Sequence, residues 1–314
     1  MKHALRSSGF VSFIVVMLFG ASLAFGLADR RFDVATIQNN ADGSDPHFSY
    51  TNLAHLNFAS TNGHILCNST DANRLTYNAV VPSNYQAAYY NDMQSLFSGG
   101  YNADQAGDQI ENWLVANFST TGTPPQWVVL NEISRGAWDA NTVNSAGIAY
   151  RVWVPSMCAR LNSLYGRAVI IFSPYILPTI NGPAWTAVSD HAYIAIESHL
   201  SGSQVNGSGN SVSWCQGQYQ PYVNAYHTLG VPYAKIYLTE YYNNSLAGDA
   251  YGRSGVSYAG WDNAIKTRAS AIHNIFTAGQ IGGYISYDWA SNAMHVSEAD
   301  QCHFEDTYAS KQLP

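Results

Sequence analysis

Charged side chains are scarce in this 314-residue chain, since Asp, Glu, Lys and Arg together make up only 11% of it. The 14 basic residues form no cluster, and the formal net charge is −7 at pH 7. Nucleic-acid binding depends mainly on neutralising phosphates with Lys and Arg, so this composition argues against a nucleic-acid partner. A strongly anionic polymer is a poor substrate for such a surface for the same reason.

Motifs for nucleotides and metals are also missing. The chain has no G-x-G-x-x-G, no P-loop, no G-x-S-x-G elbow and no H-E-x-x-H, and its ten histidines are scattered. We therefore expect no cofactor and no metal ion.

Only one long apolar run occurs, from about residue 10 to 25, and it follows the basic residues Lys2 and Arg6. This arrangement is typical of a secretory signal peptide, which we assign to residues 1–28. An uncleaved membrane anchor is the alternative. The mature chain, residues 29–314, has no further apolar run of about 18 residues, so we expect a secreted (extracellular or periplasmic) monomer that does not contact the membrane.

Cysteine is rare as well. Cys67, Cys158, Cys215 and Cys302 lie too far apart for a C-x-x-C type of zinc site. In an exported chain this even number predicts up to two disulfides, with three possible connectivities. Four buried free thiols are the alternative.

Aromatic residues are abundant, at 13% of the chain, and 22 of them are tyrosines. With many Asn, Ser, Thr and Gly residues, they predict a polar but weakly charged surface. Such a surface suits neutral hydroxylated ligands, whose flat C–H faces stack on aromatic rings. We therefore expect a carbohydrate as the binding partner.

The second half of the chain alternates apolar runs with helical patterns. Continuous apolar strands separated by helices are typical of a parallel sheet covered on both faces. With 286 mature residues, one α/β domain, a (β/α)8 TIM barrel of about 250 residues with insertions, fits well. An open doubly wound sheet is the alternative. The predicted strands are 127–132, 168–175, 192–197, 235–240 and 283–289; the predicted helices are 142–164, 220–229 and 261–278, and 201–213 reads as a mobile loop.

The first half is less regular. We predict strand one at 32–38 and strand two at 53–59, with an extension through Ile65 and Leu66. Helices are predicted at 85–97 and 104–118. The third strand has no clear position, and either 98–102 or 75–81 is a candidate.

Glutamates close two of the strands. Asn131 and Glu132 follow the apolar run at 127–130, and Glu240 follows the run at 236–239. In a barrel of parallel strands, side chains at the strand C-termini share one mouth. Two facing carboxylates are what glycosidic hydrolysis requires, one as acid/base and the other as nucleophile or base.

These positions resemble the clan A glycoside hydrolases, which are retaining enzymes on a (β/α)8 barrel. The resemblance rests on Asn131 and Glu132 after the fourth strand, Glu240 at the seventh and Trp289 at the eighth. It implies that Glu132 is the general acid/base and Glu240 the nucleophile. It also implies that Asn131 bonds the sugar 2-hydroxyl and that Trp289 lies under the sugar ring.

Further residues are candidates for substrate binding. Glu197 and His199 close the sixth strand, and Glu197 could instead pair with Glu132. Tyr242 lies beside Glu240, while Trp138 and Trp214 occur in polar, loop-like sequence where stacking on a sugar is plausible. We thus expect a secreted retaining glycoside hydrolase acting on a neutral or weakly charged poly- or oligosaccharide. A polysaccharide lyase on the same barrel, or a non-catalytic glycan-binding surface protein, are the alternatives.

Overall fold

The structure is a computed structural model that describes residues 65–68, 86–118, 124–173, 178, 181–198, 200, 202–243 and 258–288. All of them belong to the compact unit formed by residues 31–314. The predicted signal peptide and the predicted strands at 32–38 and 53–59 lie outside the described residues. So do His199 and Trp289.

Within the described residues, seven strands form one sheet, and their order in the sheet is their order along the chain. Every neighbouring pair is parallel. A doubly wound sheet reverses its order at a switch point, so the sequential order excludes that alternative and is the order of a (β/α)8 barrel. The strands are β1 Ile65–Asn68, β2 Gln86–Tyr90, β3 Trp127–Leu130, β4 Ala168–Ser173, β5 Ala192–Ser198, β6 Ile236–Asn243 and β7 Gly283–Asp288.

Helices follow β2, β3, β4, β5 and β6, as the barrel requires. The predicted strands after residue 120 are all confirmed, and the predicted helices at 104–118 and 261–278 agree with the observed helices Ala103–Phe118 and Tyr258–Thr277. The α-helices are α1 Met93–Ser98, α2 Ala103–Phe118, α3 Arg135–Ala140, α4 Tyr150–Ala159, α5 Gly182–Ser189, α6 Gly202–Gly207, α7 Val212–Thr228 and α8 Tyr258–Thr277; Arg160–Leu164 continues α4 as a π-helix, and Tyr233–Lys235 is a 3-10 turn.

The strand that precedes β3 in the sheet is Gln86–Tyr90, where the sequence predicted the start of a helix. That prediction is wrong. Ala88 and Tyr90 pack among the helices, whereas Tyr89 between them packs on the other face of the sheet. This alternation is that of a strand buried on both faces. Of the two candidates for the third strand, 98–102 contains the last residue of α1 and the loop before α2, and 75–81 lies outside the described residues.

The helix predicted at 142–164 begins only at Tyr150. Before it, Val143 and Ala149 form an antiparallel bridge across a tight turn. Left-handed backbone at Asn141 (φ 49°) and Gly147 (φ 79°) interrupts any helix there. The Asn144 side chain closes the turn, because its Oδ1 accepts hydrogen bonds from the backbone amides at positions 146 and 148.

The predicted mobile loop at 201–213 is also wrong, because α6 occupies its first half and α7 begins within it. Val205 is fully buried and anchors α6 to the core. Left-handed Gly209 and Asn210 make the turn between the two helices. Ser211 then caps α7, since its hydroxyl accepts a hydrogen bond from the Trp214 amide.

Two apolar clusters lie on opposite faces of the sheet. The helix-facing core joins alternate strand residues, such as Val128 and Leu130, to the helices. The strand residues between them form a second cluster, and all of its described members belong to strands. This is the barrel interior, consisting of Tyr89, Trp127, Val129, Ile170, Phe172, Ala195 and Tyr237, with Ala168 and Tyr193 against it.

Cys158 and Cys215 are fully buried in the helix-facing core, and neither forms a disulfide. The prediction of up to two disulfides is therefore wrong for these two cysteines. Both thiols pack in this core as small apolar groups. Cys302 and the Cys67 side chain lie outside the described residues. Among the described helices, none is long and apolar enough to cross a membrane.

Candidate active site

The end of β3 carries Asn131 and Glu132. The Asn131 amide donates to the Tyr90 carbonyl (3.0 Å), and the Ile133 amide donates to the Phe172 carbonyl (2.8 Å). Ile133 packs in the helix-facing core, although regular alternation from Leu130 would place it in the interior. The pleat therefore breaks after Asn131, and Glu132 is left exposed at the C-terminal edge of the barrel.

The Asn131 side chain is held from two sides. The Tyr89 hydroxyl donates a 2.6 Å hydrogen bond to its Oδ1. Its Nδ2 donates to Oδ1 of Asn91 at 2.8 Å and lies 3.3 Å from the Asn91 main-chain carbonyl oxygen. Both partners come from the end of β2 and the residues that follow it, so the neighbouring strand fixes this amide.

Tyr89 also connects the two described carboxylates of this edge. Its side chain is only 5% exposed. Burial raises the pKa of the phenol far above its usual value, and the negative charges of Glu197 and then Glu132 raise it further. Tyr89, Asn131, Glu132 and Glu197 thus lie together at the C-terminal ends of β2, β3 and β5; we call this group the barrel mouth.

Glu132 has the electrostatics of a proton donor. Although its side chain is exposed on the surface of the mouth, the surrounding protein removes part of its hydration, and this desolvation raises the pKa of the carboxyl. A general acid needs this direction of shift, because it must still hold its proton as the pH approaches neutrality.

Glu197 is a buried carboxyl near the end of β5, 9% exposed. In the register between β5 and β6 it lies opposite Thr239, and the next pair is Ser198 opposite Glu240. The backbone of Glu240 therefore lies one register position further along the same edge, where it also pairs with Ser286 of β7. The side chains of Glu240 and Tyr242 lie outside the described residues.

Two predicted sugar-binding tryptophans, Trp138 and Trp214, pack in or against the helix-facing core. Trp138 is 3% exposed on α3, and its ring centroid lies 4.3 Å from that of Trp185 in the helix-facing core. The prediction of a sugar-stacking role is corrected to core packing, because a buried ring cannot offer its face to a sugar. Trp214 is half-buried near the start of α7 and packs against the same core.

Sequence reasoning missed Tyr89 and Asn91. Their segment, Ala-Ala-Tyr-Tyr-Asn-Asp at 87–92, was interpreted as helical. The sequence feature that could have identified the strand is the polar pair Asn91 and Asp92 directly after Tyr89 and Tyr90. Polar residues at the C-terminal end of a barrel strand are typical of the mouth. Among the described residues, no group of three or more His, Cys, Asp and Glu is placed to hold a metal ion.

Neither a known protein family nor a curated protein matches this sequence. Solved structures do match its fold. A glycoside hydrolase family 5 enzyme from Prevotella bryantii B14, in complex with a xyloglucan tetradecasaccharide, has a TM-score of 0.51 at 8% identity and covers 92% of this chain and 98% of its own.

Two further structures are similar to the same extent. The spore cortex-lytic enzyme SleL of Bacillus megaterium QM B1551 has a TM-score of 0.51 at 10% identity, over 89% of this chain and 75% of its own. ZgEngAGH5_4 in complex with a cellotriose has a TM-score of 0.50 at 10% identity, and the match covers 91% of this chain and 97% of its own. The chain therefore has the parallel (β/α)8-barrel fold of the clan A glycoside hydrolases that it resembles.

Proposed function

We propose that this protein is a retaining glycoside hydrolase in which Glu132 is the general acid/base and Glu240 the nucleophile. The observation that carries the proposal is the position of Glu132, an exposed carboxyl with a raised pKa at the mouth of a glycoside-hydrolase barrel. Beside it, Asn131 is an amide with a fixed orientation. These are the parts that proton donation to a glycosidic oxygen needs.

The reaction has two steps. In the first, Glu240 attacks the anomeric carbon while Glu132 protonates the departing oxygen, so that a covalent glycosyl-enzyme forms. In the second, Glu132 removes a proton from water, which attacks the anomeric carbon and releases Glu240. A separation of about 5–5.5 Å between the two carboxyl groups is the distance that this double displacement requires.

We infer a neutral or weakly charged poly- or oligosaccharide as the substrate. Charged residues make up only 11% of the chain, and basic residues form no cluster that would bind a polyanion. Two of the similar structures hold a xyloglucan tetradecasaccharide and a cellotriose. Glucans with these backbones are therefore the first substrates to test. We further propose that residues 1–28 direct secretion and that the mature enzyme acts as a monomer.

Digestion of a glycan panel tests this function. The panel contains xyloglucan, cello-oligosaccharides, mannan and xylan, and the release of reducing ends is measured for the wild type, Glu132→Gln and Glu240→Gln. We expect hydrolysis by the wild type and a loss of at least about 100-fold in each variant, as is usual on removing an acid/base or nucleophile. A wild type that releases no reducing sugar, or variants with full activity, would refute the proposal. Ultraviolet-absorbing unsaturated ends would indicate a lyase instead.

A further inference from the structure

The amide orientation of Asn131 follows from its partners. Nδ2 faces the Asn91 main-chain oxygen at 3.3 Å as well as Oδ1 of Asn91 at 2.8 Å. A main-chain carbonyl oxygen can only accept a hydrogen bond, so the Asn131 atom that faces it must be the nitrogen. The oxygen of the amide then faces the Tyr89 hydroxyl, which donates to it.

The two partners differ in how firmly they are held. Tyr89 is a buried member of the barrel interior, with its ring centroid 6.0 Å from that of Phe172. Asn91 is exposed at the surface of the mouth. A buried hydroxyl is costly to separate from its acceptor, whereas an exposed amide can exchange its partner for water or a ligand.

We propose that Tyr89 is a positioning residue that locks the Asn131 amide with its N–H group toward the substrate, and that the side chain of Asn91 is a displaceable stand-in for a sugar hydroxyl. The inference rests on the proposed function and deepens it. On substrate binding, a sugar hydroxyl oxygen replaces Oδ1 of Asn91 as the acceptor for Nδ2, while the Tyr89 bond remains unchanged.

The charges around Tyr89 suit this role. Burial and the two carboxylates, Glu197 and Glu132, raise the pKa of the phenol. Tyr89 therefore stays protonated throughout the neutral range and always has a hydrogen to donate. A phenolate would accept instead of donate, and the amide would be released to rotate.

The test uses Tyr89→Phe, which keeps the ring and removes only the hydroxyl. Tyr90→Phe is the matched control, since Tyr90 is adjacent and equally buried but packs on Trp113 in the helix-facing core. Each variant is assayed with a nitrophenyl glycoside of the sugar that the wild type hydrolyses best, and with the same glycoside lacking the 2-hydroxyl. Circular dichroism and the melting temperature show whether each variant is folded.

We expect Tyr89→Phe to lower kcat/KM about tenfold on the complete glycoside, the scale of one buried hydrogen bond, and by less than about twofold on the 2-deoxy glycoside. A loss through general misfolding would reduce activity on both substrates equally. Tyr90→Phe should leave both activities unchanged. Combining Tyr89→Phe with Asn131→Ala should add no further loss, because both changes remove the same interaction.

Asn91→Ala tests the second half of the inference and does not disturb the interior. We expect its kcat/KM on the complete glycoside to fall by less than that of Tyr89→Phe, since the substrate supplies the missing acceptor. Three results overturn the inference. The first is a Tyr89→Phe variant with the kcat/KM of the wild type, and the second is an equal loss of kcat/KM by this variant on both glycosides. The third is a loss of kcat/KM in Asn91→Ala as large as in Asn131→Ala. Each of these results leaves the proposed function intact. A wild type without activity removes both the proposed function and the inference.

Discussion

The hydroxyl of Tyr89 on β2 donates a 2.6 Å hydrogen bond to Oδ1 of Asn131, which directly follows β3. The bond joins two residues 42 positions apart in sequence and links the barrel interior to the mouth. Because Tyr89 also lies in the field of Glu132 and Glu197, it brings the ends of three strands into one electrostatic unit. Through Tyr89, the residues of the barrel mouth therefore interact with one another.

Replacing Glu132 by Gln should stabilise the protein near neutral pH. The native state raises the pKa of this carboxyl by desolvation, so it disfavours the ionised form. The destabilisation is absent below the ordinary carboxyl pKa and grows as the pH rises through the raised native pKa. Because the side chain is exposed and screened, we expect only a few tenths of a kcal/mol, or about 1 °C in melting temperature, at pH 7.

Melting curves of the wild type and Glu132→Gln at pH 7 and pH 3.5 check this expectation. The two proteins should have the same melting temperature at pH 3.5, where the wild-type carboxyl is also neutral. A variant less stable than the wild type at pH 7 would mean that the charge is stabilised in the native state.

The ion pair between Glu111 on α2 and Arg167, just before β4, should be a major contributor to stability. Arg167 binds both carboxylate oxygens of Glu111 and also donates to the Pro125 carbonyl at 3.1 Å. The two side chains are only 10% and 14% exposed. Removing the carboxylate leaves a nearly buried guanidinium without its counter-charge, so Glu111→Ala should cost about 3 kcal/mol in the free energy of unfolding.

The exposed pair Arg135–Asp139 is the control for this measurement. Its N–O distance is 3.2 Å, but its side chains are 58% and 48% exposed. Asp139→Ala should therefore cost less than about 0.5 kcal/mol in urea unfolding. Equal costs for the two variants would show that the Glu111–Arg167 pair is no better shielded from solvent than the control.

Trp138→Ala should destabilise the fold without changing sugar affinity in the protein that remains folded. Trp138 is 3% exposed and packs on Trp185 and edge-on against Tyr150. Truncating a buried tryptophan costs about 3–5 kcal/mol. Urea unfolding measures the stability, and calorimetric titration with cello-oligosaccharide measures the affinity. A variant with wild-type stability but weaker sugar binding would show that Trp138 stacks on the sugar, as the sequence predicted.

The partner carboxylate of Glu132 can be identified by trapping. A 2-deoxy-2-fluoro glycoside with a good leaving group slows the second step, so the glycosyl-enzyme accumulates. Peptide mass spectrometry should place the label on Glu240. A label on Glu197, which lies one register position away on β5, would transfer the nucleophile role to that buried residue.

The sequence was most informative where burial and periodicity agree. The apolar runs of β3 to β6 are buried on both faces, and this pattern predicts parallel strands without knowledge of their neighbours. The position of Glu132 follows directly, because it comes after such a run. Strand β2 was missed because Ala87 and Ala88 favour helix, and only pairing with β1 and β3 makes the segment a strand.

Side-chain environments were harder to predict than strands. The sequence around Trp138 is polar, yet a three-dimensional contact with Trp185 from another helix buries it. The role of Tyr89 depends likewise on contacts with residues that are distant in sequence, so no local pattern contains it. Long-range contacts of this kind account for both errors at the site.

The anomeric form of the first product tests the central claim most directly. Proton NMR is recorded during the first minutes of hydrolysis of the best panel substrate, before mutarotation mixes the anomers. Double displacement by Glu132 and Glu240 predicts that the product keeps the anomeric configuration of the substrate. A product of inverted configuration would contradict the account, because it would require a single displacement by water.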